Sequence, residues 1–125
     1  MEPQSSNPFE AIGGKEVIDN LVDAFYSKVK VQPILAPIFP ADLTETARVQ
    51  KQFLTQFLGG PELYSNEHGH PMLRARHMPF PITAQRADAW LECMNEAMND
   101  IGLKGPVRDF LFERLNQTAQ HMINK

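Results

Sequence analysis

"DLTETARVQKQFLTQFLGG", residues 42–60, reads as a single amphipathic helix with a built-in stop. Leu43, Ala47, Phe53, Leu54, Phe57 and Leu58 fall on one stripe at helical spacing. Asp42 and Glu45 have the separation of a capping box, and Gly59-Gly60 supplies the C-terminal break. Thr46 and Gln50 interrupt the stripe on its inward face, where a plain core takes Leu or Ala. These two polar interruptions on one inward face ask for an explanation.

The segments on either side are helical too. Upstream, Asn7 and Pro8 have the order of an N-cap and a first helical residue, for a short turn that ends at Gly13-Gly14. From Lys15, the residues Val17, Ile18, Leu21, Val22, Phe25, Tyr26 and Val29 predict an amphipathic helix of about four turns. Pro33, Pro37 and Pro40 then forbid a long helix. Downstream, the polar stretch "PELYSNEHGH", residues 61–70, is expected to be a loop. A short helix follows, opened by Pro71 and closed by Pro79 and Pro81, with Met78 disfavoured from helical geometry by the proline after it. Thr83 caps a long helix carrying Ala87, Trp90, Leu91, Met94, Ala97, Met98 and Ile101. Gly105-Pro106 starts the last one, with Val107, Phe110, Leu111, Leu115, Ala119, Met122 and Ile123 expected inward. No stretch alternates with a period of two. The expected fold class is all-α, with four long helices in a single domain over residues 1–125 and a disordered tail over 1–7.

Composition sets the outer limits. At 125 residues the chain is one domain by length, and its 42% hydrophobic and 22% charged residues are ordinary for a soluble globular protein. A net charge of −3 with both signs interspersed argues against a general nucleic-acid binder. The single cysteine, Cys93, permits no internal disulfide and suits a reducing compartment. No apolar run is long enough to span a membrane, and the N-terminus lacks the pattern of a signal peptide. A cytoplasmic location is expected.

Two groups of residues carry chemistry. "HGHPMLRARHMPF", residues 68–80, contains three histidines and two arginines. Zinc sites use tighter and more numerous ligand pairs, so a dedicated zinc cluster is disfavoured. His77 remains open between a surface histidine at the carbonyl-rich end of its helix and one presented to a buried group. Arg74 and Arg76 form a solvated face in the first case and reach acidic groups of a bound cofactor in the second. Tyr26, Thr46, Gln50 and Trp90 make the other group, each an inward residue with a hydrogen-bonding tip. Singly, each can find a carbonyl or a water; together they suggest a lined cavity.

The order and spacing of Phe25-Tyr26, "IFP", "FLGGP", "GHPMLRARHMPF" and Trp90 resemble the truncated globins of group II. The resemblance runs from about Pro8 to Ile123. It implies a shortened globin, a two-over-two helical sandwich enclosing one b-type haem, with His77 as the proximal iron ligand. Phe39 then packs on the porphyrin, where many relatives carry tyrosine, and Phe53 walls the pocket. Arg76 matches the family's propionate-binding position, with Arg74 as a second candidate. Thr46 stands where longer globins place a distal histidine, so the sixth iron position is expected to be open. Tyr26, Gln50 and Trp90 become the distal hydrogen-bond donors.

The function so implied is reversible binding of dioxygen, and of NO, CO or other small ligands, with slow oxygen release. The alternative is a haem-dependent NO dioxygenase or peroxidase-like enzyme, drawing on an external reductase because the chain carries no flavin or nicotinamide motif. A cofactor-free helical module of globin shape is the remaining possibility. Monomer and homodimer stay open.

Overall fold

The computed structural model describes residues 7–125. Seven α-helices follow in chain order: α1 (Pro8–Ile12), α2 (Gly14–Val29), α3 (Thr44–Phe57), α4 (Leu63–His68), α5 (Leu73–His77), α6 (Ala84–Asp100) and α7 (Pro106–Met122). A single 3-10 turn, Ala36–Ile38, sits between α2 and α3, and no strand occurs among the described residues. The all-α expectation holds. The tail expected over 1–7 lies outside the described residues except for Asn7. That residue is ordered: its side chain accepts from the Glu10 N–H at 2.9 Å and donates to the Gly59 carbonyl at 2.6 Å.

The long helices form because each has an apolar stripe to bury. Helix α2 packs against α3 and α6, and α6 against α7, so the two pairs α2/α3 and α6/α7 are joined through α2 and α6. Ile18, Leu21, Val22, Phe25 and Val29 of α2 are buried, and they meet Leu54 of α3, Leu58 just past its end, and Met94, Ala97 and Met98 of α6 in one core. Burying each large side chain contributes about 1.5–3 kcal/mol. Thr83 caps α6 as expected, its hydroxyl accepting from the Arg86 N–H at 3.1 Å. Gly13, with φ of 119°, lets α1 turn directly into α2; a Cβ there would lie 2.5 Å from Val17. No helix of the described residues is long and apolar enough to cross a membrane.

Several local expectations fail, each to a contact distant in sequence or to local geometry. The stretch 61–70 is not all loop, since Leu63–His68 is helical. Tyr64 is buried against Phe53, and the Gln56 side chain holds Ser65 at both its N–H (2.8 Å) and its hydroxyl (2.7 Å). These contacts stabilise a turn whose composition alone is that of a loop. The capping box does not form. Helix α3 begins at Thr44, where the Asp42 carboxylate accepts the Thr44 N–H at 3.0 Å, while Glu45 turns to Arg48. Helix α5 starts at Leu73 rather than at Pro71, after Met72 at φ 45°, and Met78 keeps helical angles despite the proline after it. Phe110 faces outward at 42% exposure with the Arg114 guanidinium over its ring, and Phe112 packs on the core instead. Cys93 is buried on α6.

Candidate functional site

A cavity of about 460 Å³ lies between α2, α3, α5, α6 and α7, within the size range of cofactor and small-molecule sites. Tyr26, Phe39, Thr46, Gln50, Phe53, His77 and Trp90 all line it. The remaining wall is mostly apolar, with Leu35, Ile38 and Val49 on one flank and Leu115, Ala119 and Met122 of α7 on another. The structure therefore brings seven of the nine sequence-nominated residues to one space.

His77 enters from α5, which packs on α7. Its Nδ1 lies 2.7 Å from the Leu73 carbonyl oxygen. A carbonyl only accepts, so Nδ1 carries the hydrogen and the neutral ring keeps its lone pair on Nε2. That is the tautomer a metal requires, oriented by a backbone partner. The end of α5 is tied down as well: the Phe80 N–H donates to the His77 carbonyl at 3.0 Å, and the Asn124 amide at 3.3 Å. Among the described residues no group of three or more His, Cys, Asp or Glu side chains is placed to hold a metal. A lone imidazole in an apolar cavity suits a metal that brings its other ligands with it. His68 turns away to Gln52, at 2.9 Å.

The polar tips come from other elements: Tyr26 from α2, Thr46 and Gln50 from α3, Trp90 from α6. Phe25, fully buried, stands edge-on to both Tyr26 (4.8 Å between ring centroids) and Trp90 (5.0 Å), and Phe39 stands edge-on to Tyr26 at 6.0 Å. The Tyr26 hydroxyl, the Gln50 amide and the Trp90 N–H make no hydrogen bond to another described residue. Burying a donor without a partner costs about 1–3 kcal/mol. Tyr26 is such a buried group, and with the half-buried Gln50 and Trp90 lining the same cavity it fits a ligand that accepts hydrogen bonds. Burial pushes the Tyr26 phenol well above its ordinary value of 10.0. It therefore remains a protonated donor across the neutral and mildly alkaline range. The linkage follows: the folded state holds this proton more tightly than the unfolded state does. Tyr26 thus costs stability only once the pH rises through 10, where unfolded chains begin to lose the proton. Urea denaturation between pH 8 and 11 should show stability falling at the alkaline end, less so in Tyr26→Phe.

Arg74 and Arg76 are the two nominated residues that do not line the cavity. Arg74 donates to the His121 and Ile123 carbonyls (2.6 and 3.1 Å) at the end of α7. Arg76 donates to the Pro71 and His68 carbonyls (2.8 and 3.0 Å) and lies over the Tyr64 ring. The arginine at the wall is Arg86, which sequence reading missed. Its Nε donates to the Ile34 carbonyl at 3.0 Å and its Nη1 to the Pro81 carbonyl at 2.8 Å, bridging the two turns on either side. The signal was present: Arg86 lies one turn before Trp90, on the face of α6 that carries Ala87 and Trp90.

A few long helices around an apolar cavity entered by one metal-ready histidine match what a shortened globin presents. The comparisons with known proteins agree. The family described as bacterial-like globin matches residues 7–124. The group 2 truncated haemoglobin YjbI of Bacillus subtilis is 66% identical over 98% of this chain and 92% of its own length. The two-on-two hemoglobin-3 of Arabidopsis thaliana is 42% identical over 76% of this chain and 55% of its own. The crystal structure of the group II truncated haemoglobin of Bacillus anthracis superposes with a TM-score of 0.96 at 66% identity, covering 98% of this chain and 94% of that one. A structure of the Bacillus subtilis protein, described as a truncated oxygen-avid haemoglobin, gives 0.93 at the same identity, over 95% of this chain and all of that one. The chain belongs to the bacterial-like globins, as a truncated haemoglobin of group II.

Proposed function

We propose that this globin holds one b-type haem on the His77 Nε2 and binds dioxygen reversibly, with NO and CO as further ligands, and with slow oxygen release. The observation that carries the reading is the pairing within one cavity of a metal-ready imidazole and three partnerless hydrogen-bond donors. When bound, the haem would supply an iron able to take up a small diatomic ligand. The chain's own residues do the rest. His77 holds the iron and is oriented by Leu73; Phe39 and Phe53 pack against the ring and exclude water. Tyr26, Gln50 and Trp90 donate to a ligand that gains partial negative charge on binding, and Thr46 stands where a competing histidine would otherwise be.

Arg86 is the arginine among the lining residues and the candidate for a cofactor carboxylate. All three arginines hold backbone carbonyls, so Arg74 and Arg76 differ from Arg86 in lying off the wall. The oxygen-avid description of the Bacillus subtilis relative fits a pocket with several donors. The enzymatic alternative would use the same cavity and the same donors. Titrating hemin into the apoprotein should give a sharp break at one equivalent, with a Soret band distinct from that of free hemin. Gradual uptake without a break would overturn the reading.

A further inference from the structure

All four histidines and five of the twelve Lys and Arg residues lie in two stretches, 68–87 and 114–125, that contain no Asp or Glu. The rest of the chain therefore sets seven basic residues against all fifteen acidic ones, a net −8 beside +5. The fold brings the two stretches together. Helix α5 packs on α7, Arg74 caps the end of α7, and the Asn124 and Lys125 N–H groups both donate to the Ile82 carbonyl. Their junction is an open groove with Met72, Arg74, Arg114, Gln117 and His121 among its lining residues.

The groove is built rather than incidental. Arg114 is held over two rings, Phe57 at 5.4 Å and Phe110 at 5.6 Å, and Arg74 is fixed by two carbonyls. Both cations are thus ordered before any partner arrives, which lowers the entropy cost of docking. Met72 stands 64% exposed at the lip, and Met78 and Phe80, just beyond α5, are 54% and 45% exposed. Methionine, aromatic rings and arginine are the residues enriched at protein interfaces. The nearest carboxylate along α7 is Glu113, which accepts from the Gln117 amide at 3.3 Å.

The floor of the groove supplies the second half of the argument. Leu73, Thr118 and Met122 line both this groove and the cofactor cavity, so one layer of side chains separates them. We infer that this basic face over α5 is the docking site of an acidic electron-donor protein, a flavoprotein that returns the haem iron to the ferrous state. The inference rests on the haem-binding reading above. One electron passes: an anionic flavin hydroquinone becomes the neutral semiquinone, ferric iron becomes ferrous, and no proton moves. A cation-lined site steers such a partner, raising association rates by about 10- to 1000-fold at low salt.

The test uses the haem-loaded protein. Its ¹⁵N-labelled ferrous–CO form is titrated with a flavodoxin as the acidic probe and, separately, with vesicles of phosphatidylserine and phosphatidylcholine. Shifts confined to amides such as Ala75, Gln117 and His121, with flavodoxin and not with vesicles, are expected. In stopped flow, reduction of the ferric protein by flavodoxin hydroquinone should slow about tenfold as salt is raised from roughly 0.02 to 0.5 M. The exposed pair Gln117→Glu and His121→Glu should slow it about tenfold at low salt, leaving reduction by dithionite unchanged. Shifts on another face, shifts with vesicles alone, or a rate indifferent to both salt and the pair would overturn the inference. Failure of the haem reading is separate, because it appears earlier as absence of hemin uptake.

Discussion

Replacing Tyr26 by Phe should accelerate dioxygen release by roughly 10- to 150-fold, and Trp90→Phe should have an effect in the same range. A hydrogen bond to a charged group contributes about 1.5–3 kcal/mol, and loss of that much appears as such a factor in the off-rate when association is unchanged. Tyr26 is the stronger case. Its ring is buried and keeps its packing on Phe25 and Phe39 when only the hydroxyl is removed. Trp90→Phe also loses contact area against Phe25, so some of its effect will come from repositioning. The two act on one ligand, and the double variant should fall short of the product of the singles. Stopped-flow displacement of dioxygen by CO measures all three. Unchanged release in both single variants would remove the distal donors from the account.

Phe25→Ala is expected to have the largest effect on stability. Its side chain is fully buried between α2 and α6 and touches no solvent. Truncation leaves a cavity where the Tyr26 and Trp90 rings now meet it edge-on, at a cost of about 3–5 kcal/mol. For a domain of this size that lowers the melting temperature by roughly 10–20 °C. Because Phe25 stands against both donors, the variant should also release dioxygen faster, although its own ring is not among those lining the cavity. Circular dichroism of the apoprotein and the same displacement experiment read the two effects separately. A loss below about 1 kcal/mol would mean that the two rings hold their positions without it.

Much of this was legible in the chain because the long helices carry their own signals. The stripe from Ile18 to Val29, the Thr83 cap and Gly105-Pro106 act within a few residues, and these elements stand where periodicity put them. Thr46 and Gln50 were informative for a related reason. A polar residue on a face that must be buried needs an explanation, and the cavity supplies one.

Much of what could not be read depended on distant partners. Helix α4 exists through Tyr64 against Phe53 and through the grip of Gln56 on Ser65, nine residues away. Arg74 beside a candidate ligand looked like a cofactor contact. Its partners are carbonyls 47 and 49 residues further on, at an end of α7 that no local pattern places nearby. Phe110 matched the apolar period of α7, but the arginine one turn later shields it in place of the core.

The most direct test of the central claim is the visible spectrum of the haem-loaded protein, ferrous and ferrous–CO, for wild type and His77→Gly with and without added imidazole. His68→Gly serves as the control, since that ring points to Gln52 rather than into the cavity. Axial ligation by His77 predicts a five-coordinate ferrous spectrum that converts cleanly to a CO adduct in wild type and in the control. In His77→Gly the histidine signature should be lost and then regained with imidazole. Spectra that do not change when His77 is removed would contradict the account, and the histidine of α5 would then be no more than the end of a surface helix.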